Sequence, residues 1–250
     1  MKHLLLILLV CCSFWTFGQE QQPKTLKPLL MEADSLMAYY EKNKEDSIKF
    51  NQALADELFK MVEVDQLAAI HASPPKEYKY FTKVEWEHFK DSVYRTHQKR
   101  LDQIFKENGY PGYDLVGKEG EKNFWLMVQH SDFDPQFQQQ VLNKLEVEVK
   151  KGNADSKNYA LLVDRVRVNT GNKQIYGTQV TYDTENCQAI PMPLEDSASV
   201  NERRKKVGLE PIEEYLNNMS NIHFEMNKDI YLKKGITQPK LYKAESVGVK

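Results

Sequence analysis

Cysteine is scarce in this sequence. There are three in 250 residues, and Cys11 and Cys12 stand side by side near the start. That is too few for a disulfide framework. An excess of either charge is also missing: 34 Lys and Arg face 36 Asp and Glu, a formal net charge of −2. The balance argues against a general nucleic-acid binder, which carries a basic excess. No apolar run is long enough to span a bilayer. The longest, Leu4 to Phe17, has 14 residues, whereas a spanning helix needs about 20. The chain has no Gly-x-Ser-x-Gly, no His-Glu-x-x-His, no phosphate-binding glycine loop, no internal repeat and no low-complexity tract. What remains is 41% hydrophobic and 28% charged. This is the make-up of an ordinary globular protein, and it excludes collagen-like and wholly disordered chains.

The first eighteen residues read as an address. Met1-Lys2-His3 is a short positive start, the apolar run follows, and Thr16-Phe17-Gly18 places small residues before a cleavage point between Gly18 and Gln19. A retained membrane anchor is the competing reading, and the shortness of the run opposes it. A lipidated cysteine would be Cys11 or Cys12, but Leu8-Leu9-Val10 lacks the small residue such a site calls for. Cleavage leaves 232 residues, a formal charge of −3 and one thiol, Cys187. The expected location is secreted or periplasmic. Cys187 lies between a turn and an expected strand with no histidine beside it, so it reads as a small packed residue rather than a nucleophile.

Residues 19–25 are polar and read as a flexible lead-in. Residues 26–235 read as a single mainly α domain with one small β-hairpin near residues 173–192, and residues 236–250 as an irregular tail. Helical periodicity runs from Leu26 to Ala72, with a break near Asn43 to Asp46, until Ser73-Pro74-Pro75 ends it. Thr82 caps a long helix to Asn108, where Gly109 stops it. A helix over 119–130 carries Phe124-Trp125-Leu126-Met127-Val128, apolar on every side and so expected to be buried all round. Asp134-Pro135 opens the next helix, which runs to Gly152. Ser156 is the expected cap of another, ending near Val168. After Asn169-Thr170-Gly171-Asn172 the period changes to two: residues 174–181 and 187–192 read as paired strands. Short helices are expected over 199–207 and 211–219. The run Arg203-Arg204-Lys205-Lys206 reads as a solvated face.

Polar residues on expected core faces are the informative ones. On a helix, Asp65 falls about 20° from Leu54 and shares its face with Leu58, Met61 and Ala68. A carboxylate there must be bonded or paired, either structurally or as part of a site. His97 and Arg100 fall on the apolar side of their helix and read as a core histidine and an arginine reaching for solvent. Gln129-His130-Ser131-Asp132 follows directly on the most apolar segment. His130 suits a proton carrier, and no metal is expected, because His-x-Asp-x-Asp is not a ligand spacing that closes a coordination set. Asp164 and Arg165 diverge by about 100° on a helix, so each meets a different partner. Gln174, Tyr176, Thr178 and Gln179 put amides and hydroxyls on the expected hairpin.

Several of these residues also form a pattern: Asp65-Gln66, Gly109-Tyr110-Pro111, Val116-Gly117, Gln129-His130-Ser131-Asp132, Phe137-Gln138, Asp164-Arg165, Gln174-x-Tyr176-Gly177-Thr178-Gln179, Arg203 and Gly208-Leu209. The set resembles a bacterial family known only as domain of unknown function 6624, over about residues 52–216. Gln-His-x-Asp and Tyr-Gly-Thr-Gln are its most specific elements. The resemblance implies a single domain and carries no activity, substrate or cofactor. Ala69-Ile70-His71 stand where an arginine would follow Asp65-Gln66, which weakens an Asp–Arg pair at that point.

Two classes of function remain open. One is a binding or envelope-associated module with a polar pocket for a small molecule or envelope component. The other is a secreted hydrolase-type enzyme with Asp65, His130 and Asp132 as acid–base groups. In either, Gln66, Gln129, Asp164, Arg165, Gln174, Tyr176, Thr178 and Gln179 are the candidate binding residues. Neither requires a cofactor, nucleic acid or integral membrane segment. The leader is directly testable: the protein recovered from outside the cytoplasm is expected to have Gln19 as its first residue by intact mass. A mass retaining residues 1–18 would overturn that expectation.

Overall fold

A computed structural model describes residues 50–71 and 73–243. The expected break near Asn43, the leader, the lead-in and residues 244–250 lie outside the described residues. Eight α-helices and one two-stranded antiparallel hairpin make up the described fold, which is mainly α. Among the described residues no helix is long and apolar enough to cross a membrane.

Local chemistry accounts for most of the boundaries. Helix α1 spans Gln52–Ile70 and is capped by Asn51, whose side chain accepts from the Leu54 amide. Its buried residues, Leu54, Leu58, Val62, Asp65 and Ala68, recur at helical spacing. Helix α2 spans Lys83–Asn108 and opens on a full capping box. Thr82 accepts from the Glu85 amide, and the Glu85 carboxylate reaches back to the Thr82 amide. Helix α3 spans Tyr113–Gln129, six residues earlier than its apolar segment alone suggests. Gly117, with φ +70, kinks it near its first turn. Helix α4 spans Pro135–Lys150 behind the Asp134 cap and a first-turn proline. Helix α5 spans Ser156–Asn169. Its cap is Asp155 rather than Ser156, because the Asp155 carboxylate accepts from the Lys157 amide while the Ser156 hydroxyl donates to the Val207 carbonyl.

The hairpin is shorter than its alternation implies. Strands β1 (Val180–Asp183) and β2 (Gln188–Pro191) pair with Val180 opposite Pro191 and Asp183 opposite Gln188. Residues 174–179 do not join the hairpin ladder. Side chains take the amides and carbonyls of Ile175, Tyr176 and Thr178, while Gln174 bonds backbone to backbone with Pro193 and Glu195, as a single bridge to Leu194, and the Gln179 carbonyl accepts from the Met192 amide. Cys187 is buried in the turn before β2 with φ +50. Helix α6 covers Val200–Lys206. Helix α7 covers Ile212–Met226, seven residues beyond the expected end, and α8 covers Lys228–Lys233. Residues 236–243 are irregular, yet Tyr242 is held by Asn217 and donates its hydroxyl hydrogen to the Ala189 carbonyl.

The main core lies among α1 to α5. Leu58, Leu101, Ile104, Phe124, Met127, Val128, Val141, Leu145 and Leu162 meet there. The helix is not buried all round, as its apolar run suggests: Phe124, Met127 and Val128 are fully buried, but Trp125 and Leu126 are only partly buried and pack at the core's edge. A smaller core of Ala189, Val200, Ile212 and Leu216 lies under the hairpin. The basic run is not a solvated face at Arg204, which is fully buried.

A second buried acid lies in the main core. Glu121 is 1% exposed and accepts from the Tyr110 hydroxyl at 2.5 Å. Burial pushes the Glu121 carboxyl up to about 7, well above its ordinary 4.5. The folded state therefore holds this proton more tightly than the unfolded chain does. The stabilisation it gives is complete at low pH and is lost as pH rises from about 4.5 to about 7, a loss of about 3 kcal/mol. Glu121→Gln is expected to remove that loss. Urea unfolding across the window should show the variant gaining on the wild type as pH rises, and a constant difference would refute the assignment.

Candidate functional site

Asp65 is the centre of the site. It lies on the inner face of α1 with no exposed surface, a position where an ionised carboxylate needs partners. His130, the residue that ends α3, provides one. Its Nδ1 lies 2.6 Å from Asp65 Oδ2. Gln66 donates to the same oxygen at 3.2 Å. His97 from α2 faces the other oxygen, with Nδ1 3.8 Å from Oδ1. Burial raises the Asp65 carboxyl, but the hydrogen bond from His130, the approach of His97 and the His130 charge outweigh it. The net result lies below the ordinary carboxylate value. Asp65 is therefore held as an anion, and it directs the Nδ1 hydrogen of His130 toward itself.

His130 is one-fifth exposed. Its Nδ1 is committed to Asp65, and among the described residues no hydrogen bond engages its Nε2. The ring of Tyr94, from α2, lies 5.3 Å away, centroid to centroid. The Tyr94 hydroxyl is raised by burial and by the negative charge of Asp65, and lowered by Arg165. It thus stands in the fields of both polar groups that flank it.

The second group is built on Asp132. Arg165 of α5 holds it in a two-pronged pair, with Nε to Oδ1 at 2.7 Å and Nη2 to Oδ2 at 2.5 Å. Asn169 adds a bond at 2.8 Å and Gln138 one at 3.2 Å. The buried Gln138 amide also donates to the Val128 and Gln129 carbonyls at the end of α3, tying this loop to α4. Burial raises the Asp132 carboxyl, but Arg165, Gln138 and Asn169 outweigh it and hold it low. Asp132 thus stays ionised and occupied by its partners. It holds Arg165 in a fixed geometry. Gln129 is buried, with its Nε2 unpartnered.

Asp164 is engaged elsewhere. Its carboxylate accepts from the amides of Ile175, Tyr176 and Thr178 and from the Thr178 hydroxyl, at 2.7 to 3.2 Å. Gln174, fully buried, closes the same loop. Its amide nitrogen donates to the Gln179 and Met192 carbonyls, and its oxygen accepts from the Gln179 amide. Tyr176 is half-buried against the main core, and the Gln179 side chain donates to Thr178 Oγ1 at 3.3 Å. The structure thus brings together Asp65, Gln66 and His130 beside Asp132 and Arg165. It uses Asp164, Gln174, Thr178 and Gln179 as the internal bonding of a loop. No described hydrogen bond joins the two groups.

Sequence reasoning missed His97 and Tyr94 as site residues. The signal was present for His97: it falls on the apolar side of α2, the face that meets α1. Arg100, from that face, forms a two-pronged pair with Glu57 of α1 at 2.6 and 2.9 Å. Cavities of about 360, 510 and 400 Å³ open beside Tyr110 and Glu148, beneath Ile212 and Tyr242, and against Gln139 and Thr170. None of these three is lined by Asp65, His130 or Asp132. Among the described residues no group of three His, Cys, Asp or Glu is arranged to hold a metal ion.

The fold and site define a mainly helical domain with a buried carboxylate gripping a partly exposed imidazole. A family model described as a family of unknown function (DUF6624) matches residues 53–225, and the chain belongs to that family. No curated protein and no solved structure matches it.

The two polar groups differ in what they hold up. Asp164→Ala leaves three buried-loop amides and a hydroxyl without an acceptor and is expected to destabilise the domain by at least about 3 kcal/mol. Arg165→Ala removes a pair open to water and should cost about 1 kcal/mol or less. Urea unfolding of the two variants checks the ranking, and equal losses would contradict it.

Proposed function

We propose that this is the domain of an exported protein that binds a small polar ligand at His130 and exchanges a proton with it. The carrying observation is the 2.6 Å contact between Asp65 Oδ2 and His130 Nδ1, with Nε2 left unengaged. A buried anion at Nδ1 fixes the hydrogen there. Neutral His130 then presents a bare Nε2 lone pair outward, the form a general base needs. Arg165, fixed by Asp132, and the Tyr94 hydroxyl are the nearby groups suited to orient a polar ligand. The hydrolase form of this reading uses His130 to activate water. The Ser131 hydroxyl does not serve as a nucleophile, since it is buried and turned toward the Met127 carbonyl at 3.4 Å. Export rests on the leader in residues 1–18, and the ligand is a small molecule or a fragment of an envelope component.

The test has two parts. Diethyl pyrocarbonate, which acylates exposed neutral imidazole, is expected to modify His130 at neutral pH, as read by peptide mass mapping. A thermal-shift screen of the mature chain against carboxylates, phosphates, sugars and short peptides is expected to yield a ligand that protects His130. His130→Gln should then weaken that ligand about 10- to 100-fold. A folded His130→Gln variant that binds as tightly as the wild type would sink the proposal.

A further inference from the structure

His97 presents a buried nitrogen with no partner to a buried oxygen with no partner. Asp65 Oδ1 and His97 Nδ1 are both shielded from water and unbonded, and they lie 3.8 Å apart. Each group is expensive to leave in this state. The gap exceeds hydrogen-bond length by less than about 1 Å, so a small rotation of the His97 ring closes it. Only one arrangement makes that closure favourable. If Nδ1 were bare, a lone pair would face an anion. If Nδ1 carries a hydrogen, it donates to Oδ1. Asp65 then stands between two imidazoles, one on each oxygen, and each is oriented by the same buried charge.

We propose that His97 is a positioning residue of the His130 site: it shares Asp65 with His130 and, by donating Nδ1–H to Oδ1, sets how strongly Asp65 draws a proton onto His130. The proposal rests on the reading of His130 as the proton-exchanging group. Its physical content is competition for one negative charge. When His97 is charged, or bonded at Oδ1, less of the Asp65 field acts on His130. When His97 is removed, His130 has Asp65 to itself and holds a proton to higher pH. The other groups near this centre are few and placed on every side. Gln66 lies on the same carboxylate from α1, and Tyr94 comes from α2 and packs against His130. The Asp132–Arg165 pair stands beyond the end of α3. Glu57 and Arg100 neutralise one another between α1 and α2.

The test is an NMR pH titration of the imidazole nitrogens in the mature chain, with no ligand present. In the wild type the His97 and His130 curves are expected to be coupled, each showing an inflection where the other titrates. In His97→Leu, the His130 curve should move to higher pH, because Asp65 then acts on His130 alone. His97→Gln keeps a neutral donor near Oδ1 and should recover part of the difference. An unmoved His130 curve in a folded variant would overturn the proposal. If neither variant folds, the wild type still decides: two independent one-proton curves would count against it. Because no ligand enters, this result is separate from the binding test. Failure to find a ligand would strike the proposed function, whereas uncoupled curves would strike only His97.

Discussion

The Asp164 carboxylate is the constraint on which the arrangement of the helical core and the hairpin core depends. It reaches from α5 into the loop and collects the amides of Ile175, Tyr176 and Thr178. The carbonyls of the same stretch then point the opposite way and are taken by the C-terminal half. Arg203 binds the Ile175 carbonyl, Arg204 the Tyr176 carbonyl, and the Tyr215 hydroxyl the Thr178 carbonyl. The polar backbone of Ile175, Tyr176 and Thr178, which has no ladder of its own, is thus satisfied from both sides. Gly177 completes the joint. Its φ is +72, which strains any other residue, and a Cβ built on it would lie 2.5 Å from Ile212 Cδ1, so that side chain would have to shift. This loop helps fasten the helical core to the hairpin core, alongside the Ser156 bond to the Val207 carbonyl.

Three aspartates illustrate how environment assigns roles to one side chain. Asp164 has all its capacity taken by donors within the chain, and it serves the fold. Asp132 faces an arginine in a half-open setting, and it serves to hold that arginine in place. Asp65 is the most deeply placed of the site's carboxylates and the least completely satisfied, with one oxygen bonded twice and the other unbonded. Native interiors rarely leave such a group unpaired, and those that persist tend to mark positions where chemistry outranks stability. His130, bonded to the other oxygen, is partly exposed and so connects this buried carboxylate to the surface.

Helix positions were largely legible because their signals are local. Thr82 with Glu85, Asp134 with Pro135, and the stops at Gly109 and Gly152 each act within one turn. Asp65 was legible as a polar residue on an apolar face, and Asp164 and Arg165 as neighbours facing different partners. What the sequence concealed depends on tertiary contact. The alternation over residues 174–179 looks like a strand, yet Ile175, Tyr176 and Thr178 direct their backbone hydrogen bonds to Asp164, Arg203, Arg204 and Tyr215. These partners are contributed by distant helices. Arg204 sits in a run of four basic residues, where its neighbours' exposure masks its own burial. Glu121 is hidden for the same reason, among Lys118, Glu119 and Lys122 on a helix that turns one acid inward.

Arg204 has a consequence for how the molecule comes apart. Its guanidinium is sealed from water, donates to the Glu210 and Tyr176 carbonyls, and lies 4.9 Å from the centre of the Tyr215 ring. Among the described residues no carboxylate bonds to it, and burial lowers its hold on its proton. Hydration of this cation would release free energy that the folded joint withholds. A half-parted joint would lose both carbonyl bonds and the ring contact while water was already drawn to the charge. The joint between α6 and α7 therefore keeps its cation dry with two carbonyl oxygens and a ring face, and opening it would give up all three contacts.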